Sequence, residues 1–321
     1  IIEHKSRFDF GFFRLFLYSI FLFKKLNHIK SKRKDLYVHY TTPVISLIAT
    51  TFSFLIGIKY RRYRVGGLLV SLDYRYLSDF LFSIFGYIMD FYITLFSTHI
   101  TFVSHSNRFT YCRLFPHIRS RKSSVYYSPC CDSNLIQNQN KNTIENNNNK
   151  TDFSEYIPKA DKIIVLTMVN DKFRKGSPIF YNLANHLKSK KDILFIHVGS
   201  RSIKKPVYKE ENLLIIPHVS NLSNWIKCST LTVLFSSYPE GLAQVVPQSL
   251  VYSKPVLSFY NSGINDCLIH DFNGYILPVN SNIKMIAKNL LEMISTEKLI
   301  DLTKNAKSIS EFILKRHSIK K

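Results

Sequence analysis

The sequence predicts an α/β protein built on parallel sheets and divided into two domains, and three observations predict it. Residues Leu231 to Gly263, LTVLFSSYPEGLAQVVPQSLVYSKPVLSFYNSG, read as strand, polar turn, short helix, second strand and glycine-bearing turn, which is one half-unit of a parallel sheet. The same strand, helix, strand alternation recurs between Asp35 and Gly67. At 321 residues the chain has room for two domains, and its 45% apolar content is that of a globular protein.

From the start of the chain, Phe8 to Phe23 is aromatic and apolar but is interrupted by Arg14, and it is shorter than the about 20 residues that span a bilayer. It predicts a helix that ends in a basic run, Lys24, Lys25, Lys30, Lys32, Arg33 and Lys34. Two readings stay open: a core helix with a charged far end, or a helix lying against anionic headgroups. Asp35 to Tyr40 is a predicted strand, Pro43 to Gly57 a helix closed by a glycine, and Ile58 to Val65 the next strand, closed by Gly66-Gly67. His39 reads as a strand histidine. Asp79 to Phe96 is a long apolar helix with Asp90 its only interior charge. A membrane span is disfavoured there, because an unpaired Asp near mid-helix costs about 2.5 to 3.5 kcal/mol on insertion scales. His99 to Val103 is a strand followed by Ser104, and Ser124 to Tyr127 is a shorter one. Between them Arg108, Arg113, Arg119, Arg121 and Lys122 interleave with Phe109, Tyr111 and Phe115. Such interleaving can bind single-stranded nucleic acid, yet no RNP, KH or zinc pattern accompanies it, and nucleic acid is set aside as a partner.

The tract from Gln137 to Lys150 is Asn-rich and cannot bury a core, so it reads as a linker or inserted loop. The expected domains are therefore residues 1–135 and 161–321, joined by 136–160. The second opens with the strand Lys162 to Met168, the segment VNDKFRKG and a helix from Pro178 to Lys188. Strands Ile193 to Gly199 and Leu213 to Pro217 follow, then a short helix from Asn221 to Lys227. In the central stretch Glu240-Gly241 sits just past a buried strand and just before a helix, where open α/β sheets bind ligands and backbone N–H groups meet phosphate. Pro247 belongs in the first turn of that helix, and Lys254-Pro255 leads into the strand Val256 to Phe259. Near the end, Ile309 to Lys315 reads as a helix.

Lys plus Arg number 44 against 22 Asp plus Glu, a formal charge of +22, with the excess strongest in residues 1–150. Such a field favours polyanionic partners, nucleic acid or an anionic membrane face, as well as phosphorylated small molecules. The five cysteines show no metal-ligand spacing, and neither a metal site nor a resident cofactor is expected. Their odd number, without a signal peptide, points to the cytoplasm.

The order Glu240-Gly241-Leu242, a Gln/Val segment, a polar residue eight positions after the Glu, then Lys254-Pro255-Val256 and a glycine-bearing turn resembles the donor-site motif of family-4-type glycosyltransferases. Asp266, Asn273-Gly274-Tyr275 and Leu277-Pro278-Val279 continue the same register. The resemblance covers most of residues 160–295 and implies the GT-B fold, two Rossmann-like domains facing across a cleft. It implies transfer of a hexose, with retention, from a nucleotide-sugar donor to a glycan or lipid-linked acceptor in surface polysaccharide or glycolipid synthesis. The donor is a substrate and no separate cofactor is implied.

The resemblance also assigns roles. Lys175, with Arg174 as a second cation, would stabilise the leaving diphosphate, and Glu240 would bind hydroxyls of the donor sugar. Gly241 and Leu242 would offer backbone amides to the donor, Gln248 would hold the ribose, and His218 would lie beside the nucleotide base. The chain departs from the family pattern at three places. Gln248 stands where a second Glu is usual, Val169-Asn170 where Gly-Arg is usual, and Val65-Gly66-Gly67 where a His often follows the strand. Gln248 and the absent Gly-Arg favour a second reading, a non-catalytic GT-B-like binding subunit, and a GT-B-like sugar-nucleotide epimerase, which shares the fold and ligand, is a third. The strand Asp35 to Tyr40 also resembles one that the family reaches after earlier units, so the first domain is expected to lack its opening part.

Overall fold

The structure is a computed structural model. It describes residues 12–32, 37–40, 43–65, 77–119, 123–127, 154–156, 163–170, 175–219, 222–237, 240–260 and 263–317. The chain divides into two units, residues 1–103 with 108–126, and residues 104–107 with 127–321.

In the first unit the elements run α1 (Phe12–Lys32), β1 (Tyr37–Tyr40), α2 (Pro43–Leu55), β2 (Tyr60–Val65), α3 (Leu77–Phe96), β3 (His99–Phe102), α4 (His105–Leu114) and β4 (Ser123–Val125). The four strands are parallel and lie side by side in chain order. Helix α1 runs through Lys24, Lys25, Lys30 and Lys32, so it ends in the basic run as the sequence predicts. Lysine is a good helix former, so charge alone does not stop a helix. Helix α2 ends as expected, with Gly57 at φ +73 turning the chain into β2.

The core of this unit is Tyr63, Val65, Ile93, Ile100, Phe102, Tyr111, Phe115 and Ile118. Asp90, the charge in the interior of α3, is fully buried within it and accepts hydrogen bonds from Tyr63 Oη at 3.1 Å and Tyr111 Oη at 2.7 Å. The partners that sequence proximity hid come from β2 and α4, so the carboxyl is compensated inside the core. The His39 ring on β1 is held below its ordinary pKa by partial burial and by Arg62 and Arg64. Of the basic and aromatic segment, Arg108 and Arg113 lie on α4 and Arg119 donates to the Cys112 carbonyl at 3.2 Å. Arg121 and Lys122 lie outside the described residues.

The second unit holds β5 (Ile163–Met168), α5 (Ser177–His186), β6 (Ile193–Ser200), β7 (Val207–Glu210), β8 (Leu213–Pro217), α6 (Ser223–Cys228) and β9 (Leu231–Leu234). It continues with α7 (Val245–Val251), β10 (Val256–Phe259), β11 (Gly274–Leu277), α8 (Ile283–Met293) and α9 (Thr296–His317). Seven strands form one sheet in the order β11-β10-β9-β5-β6-β8-β7, all parallel except β7. Strands β8, β9 and β10 are buried along their whole length, which is why their sequences are nearly continuous apolar runs without alternation. One face packs Phe180, Leu183, Ile286 and Leu290 from α5 and α8, and another cluster gathers Val246 and Leu250 of α7 with Ala306 and Ile313 of α9.

Strand β7 and the start of helix α9 differ from the sequence reading, which also named no helix at α4 or α8. Strand β7, VYKE, is exposed at every residue and pairs antiparallel at the sheet edge, so it carries no apolar signature. Its Lys and Glu suit an edge, because charge discourages further pairing. Helix α9 begins at Thr296, well before Ile309, because its first half is a polar, amphipathic face that buries Leu302 and Ala306.

Candidate active site at the strand ends of the second sheet

Leaving aside the edge strand β7, the parallel strands lie in the order β8-β6-β5-β9-β10-β11, which by chain position is third, second, first, fourth, fifth, sixth. This is the Rossmann order, and it reverses between β5 and β9. The crossovers that leave these two strands depart in opposite directions, opening a crevice at their carboxyl ends. The residues leaving β5 lead to Lys175-Gly176 and α5, and those leaving β9 lead to Glu240-Gly241 and α7.

The two turns meet there. Gly176 caps α5 in the left-handed region, at φ +85, and a Cβ on it would fall inside the Phe235 carbonyl at the end of β9. Only glycine permits that approach. Lys175 Nζ is ion-paired to Glu240 Oε1, and Ser236 Oγ donates to the same oxygen at 3.0 Å. The Lys175 side chain is 33% exposed and that of Glu240 16%, so the pair is sheltered yet reachable from solvent. Opposite charges 65 positions apart in sequence are thus brought together at the point where the strand order reverses. A cation beside the N-terminus of the ten-residue helix α5 forms an anion-attracting corner, with a carboxylate next to it able to accept from hydroxyl groups.

Of the other residues singled out in sequence, Gly241 is buried next to Glu240, and Leu242 and Gln248 are half-buried, Gln248 lying on α7. Pro247 falls in the first turn of α7, where its missing N–H leaves no gap in the helix. His218 is exposed at the end of β8, its N–H donating to the Ser200 carbonyl at 2.9 Å. Arg174 lies outside the described residues. Among the described residues no group of three or more His, Cys, Asp or Glu side chains is placed to hold a metal ion.

Sequence reasoning missed the contacts that Ser104–Asn107 makes within the second unit. Ser104 Oγ donates to the Gly241 carbonyl at 2.7 Å, next to Glu240. Asp266, its side chain 2% exposed, accepts from the backbone N–H groups of His105 and Ser106 at 2.7 and 2.8 Å, and from the Tyr127 hydroxyl. Arg316 near the end of α9 lies 3.5 Å from the same carboxylate and stacks 4.1 Å over the Tyr127 ring. Asp266 was legible only as part of a motif register, because its donors come from segments far away in sequence.

The family model described as glycosyl transferases group 1 matches residues 147–309, which contain the Rossmann-ordered sheet and both turns. The chain belongs to this family. Solved structures agree with the fold. HepE from Anabaena, in complex with UDP and glucose, superposes with a TM-score of 0.65 at 14% identity over 91% of this chain and 78% of that one. Sucrose-phosphate synthase from Thermosynechococcus elongatus gives 0.68 at 13% identity over 98% and 81%. A glycosyltransferase from Rickettsia africae gives 0.63 at 15% over 99% and 80%. No curated protein matches the chain in sequence. The protein is a glycosyltransferase of GT-B fold, with two Rossmann-like domains.

Proposed function

We propose that this glycosyltransferase moves a hexose from a nucleotide-sugar donor to a glycan or lipid-linked acceptor, with retention of anomeric configuration, in surface polysaccharide or glycolipid synthesis. The observation that carries this reading is the Lys175–Glu240 pair at the reversal of strand order. Lys175, together with the first amides of α5, stabilises negative charge as the diphosphate departs. Arg174 adds a second cation to the same group. Glu240 releases part of its hold on Lys175 to accept from hydroxyls of the donor sugar, while the Gly241 and Leu242 amides face the donor. Gln248 holds the ribose, its amide able both to accept from one hydroxyl and donate to another, and His218 lies beside the base. The HepE structures with UDP and with UDP-glucose support a nucleotide-sugar donor, and the TarM structure with fondaparinux, α-GlcNAc-glycerol and UDP supports a glycan acceptor. Mass spectrometry of nucleotide retained through purification, followed by turnover with the matching nucleotide sugar and NMR of the product anomer, tests this. An inverted anomer would remove the retaining mechanism, and nucleotide binding without turnover across lipid-linked and glycan acceptors would favour a non-catalytic subunit.

A membrane-facing acceptor side, peripheral on the cytoplasmic face, is supported by the surface of the first unit. Leu81, Ile84, Phe85 and Ile88 form an exposed apolar stripe at helical spacing on α3, and Phe54 and Leu55 are exposed at the end of α2. Lys24, Lys25 and Lys30 are exposed on α1. Apolar knobs with nearby lysines suit an anionic bilayer surface. No helix of the described residues is long and apolar enough to cross a membrane. Vesicle sedimentation should show binding to anionic lipid that is lost in high salt, and equal binding to neutral lipid would contradict it.

A further inference from the structure

We propose that His197 is a positioning residue for the donor site, tying together the two arms of the loop that carries Lys175. The inference rests on the reading of Lys175 as the cation for the donor diphosphate. His197 is fully buried in β6, in the middle of the otherwise apolar run ILFIHVG. Its Nε2 lies 2.8 Å from the carbonyl oxygen of Val169, the first residue after β5, and its Nδ1 lies 2.6 Å from Tyr181 Oη on α5. A carbonyl oxygen can only accept, so Nε2 carries a proton, and in the neutral ring Nδ1 accepts from the tyrosine hydroxyl. One imidazole therefore joins the point where the loop leaves β5 to the helix into which it leads, with Lys175 between them.

A second feature of the same strand fixes the same carbonyl. Gly199 has φ +112, and a Cβ on it would stand 2.8 Å from Val169 O. Strand β6 thus approaches Val169 at alternate positions, through a hydrogen bond at His197 and through close backbone packing at Gly199. Tyr181 is itself covered by Lys209, whose Nζ lies 4.7 Å from the ring centroid. Burying a polar ring in an apolar strand is unfavourable unless both nitrogens are bonded, and an apolar side chain would fill the volume without that requirement. Both bonds of His197 go to the flanks of one loop. The histidine thus restrains, from the neighbouring strand, the residues on either side of the loop, Val169 and Tyr181.

The test compares the wild type with His197→Leu, His197→Gln, Tyr181→Phe and Lys175→Ala, using UDP and GDP as probes in calorimetric titrations and the donor KM and kcat in turnover. His197→Leu should weaken nucleoside diphosphate binding by about tenfold and raise donor KM more than it lowers kcat. His197→Gln should recover most of that loss, because its amide N–H can still reach Val169 O. Tyr181→Phe should fall between. A purely structural histidine would lower the melting temperature while leaving the affinity of the folded protein unchanged, and that result overturns the proposal. If His197→Leu does not fold, wild-type affinity in Tyr181→Phe overturns it instead. Wild-type affinity in Lys175→Ala, or no binding of either nucleotide to the wild type, would overturn the donor-site reading and this inference with it. Weak binding in Lys175→Ala beside wild-type binding in the His197 and Tyr181 variants would remove the inference alone.

Discussion

The two sheets use the same strand and helix alternation but lay their strands down in different order, and this decides where charged side chains can be put to use. In the first unit the described strands follow chain order, β1 to β4, and the order does not reverse among them. In the second the order reverses between β5 and β9, so two turns converge at one end of the sheet. The charged residues follow suit. Asp90 in the first unit is sealed in the core and satisfied by Tyr63 and Tyr111, whereas Lys175 and Glu240 in the second meet at a strand end within reach of solvent. A buried charge satisfied by its own fold serves stability, and a sheltered pair at a strand-order reversal can be shared with a ligand.

Substitutions should separate these roles. The largest effect is expected at the reversal: Lys175→Ala and Glu240→Ala should each lower sugar transfer by at least about a hundredfold, through lost charge stabilisation and lost sugar positioning. Because both lie in part-exposed turns, thermal unfolding should change little, by about 0.5 kcal/mol or less. Wild-type-like turnover in either variant would sink the site assignment. Gly176→Ala should damage stability as well as activity, by about 1–3 kcal/mol, because it forces a left-handed residue against the Phe235 carbonyl. Denaturant titration with a parallel donor-binding assay would show whether the two losses go together.

In the first unit the expectation is the reverse. Tyr111→Phe removes one donor from the buried Asp90 carboxyl and should cost about 1–3 kcal/mol in urea unfolding, with turnover per folded molecule unchanged. A loss of turnover without a loss of stability would blur the contrast between the units. The smallest effect concerns pH. Burial pushes the Cys228 thiol up to about 11, despite the nearby Lys254, and burial together with Asp266 pushes Cys267 up to about 12. Both folded values exceed the ordinary thiol value near 9. The folded second unit therefore retains protons that the unfolded chain releases, so stability is unaffected below about pH 9 and falls as pH rises through 11 and 12. Alkylation at pH 8 followed by peptide mapping should find both thiols slow in the folded protein and fast in denaturant.

Much of the second unit was legible in sequence for a physical reason. Strands buried on both faces read as short apolar runs, and the turns between them need glycine, proline and charge at fixed places, so Lys175-Gly176 and Glu240-Gly241 announced strand ends. That the two turns meet was not legible, because strand order is a property of the assembled sheet. Strand β7 left no apolar trace, since VYKE is exposed at every position. His197 was not singled out because a lone histidine in ILFIHVG carries no motif, and its partners lie 28 residues before it at Val169 and 16 before it at Tyr181. Asp90 was read only as a charge that disfavours a membrane span, because its donors lie on β2 and α4.

Hydrogen exchange with mass spectrometry, comparing the free protein with one saturated by the nucleoside diphosphate it binds, tests the donor site most directly. Protection should concentrate in peptides covering 169–180 and 235–245, at the ends of β5 and β9, and should vanish in Lys175→Ala. Protection confined to peptides of the first unit, between residues 37 and 126, or unchanged protection in Lys175→Ala, would contradict a donor site at the reversal of the second sheet.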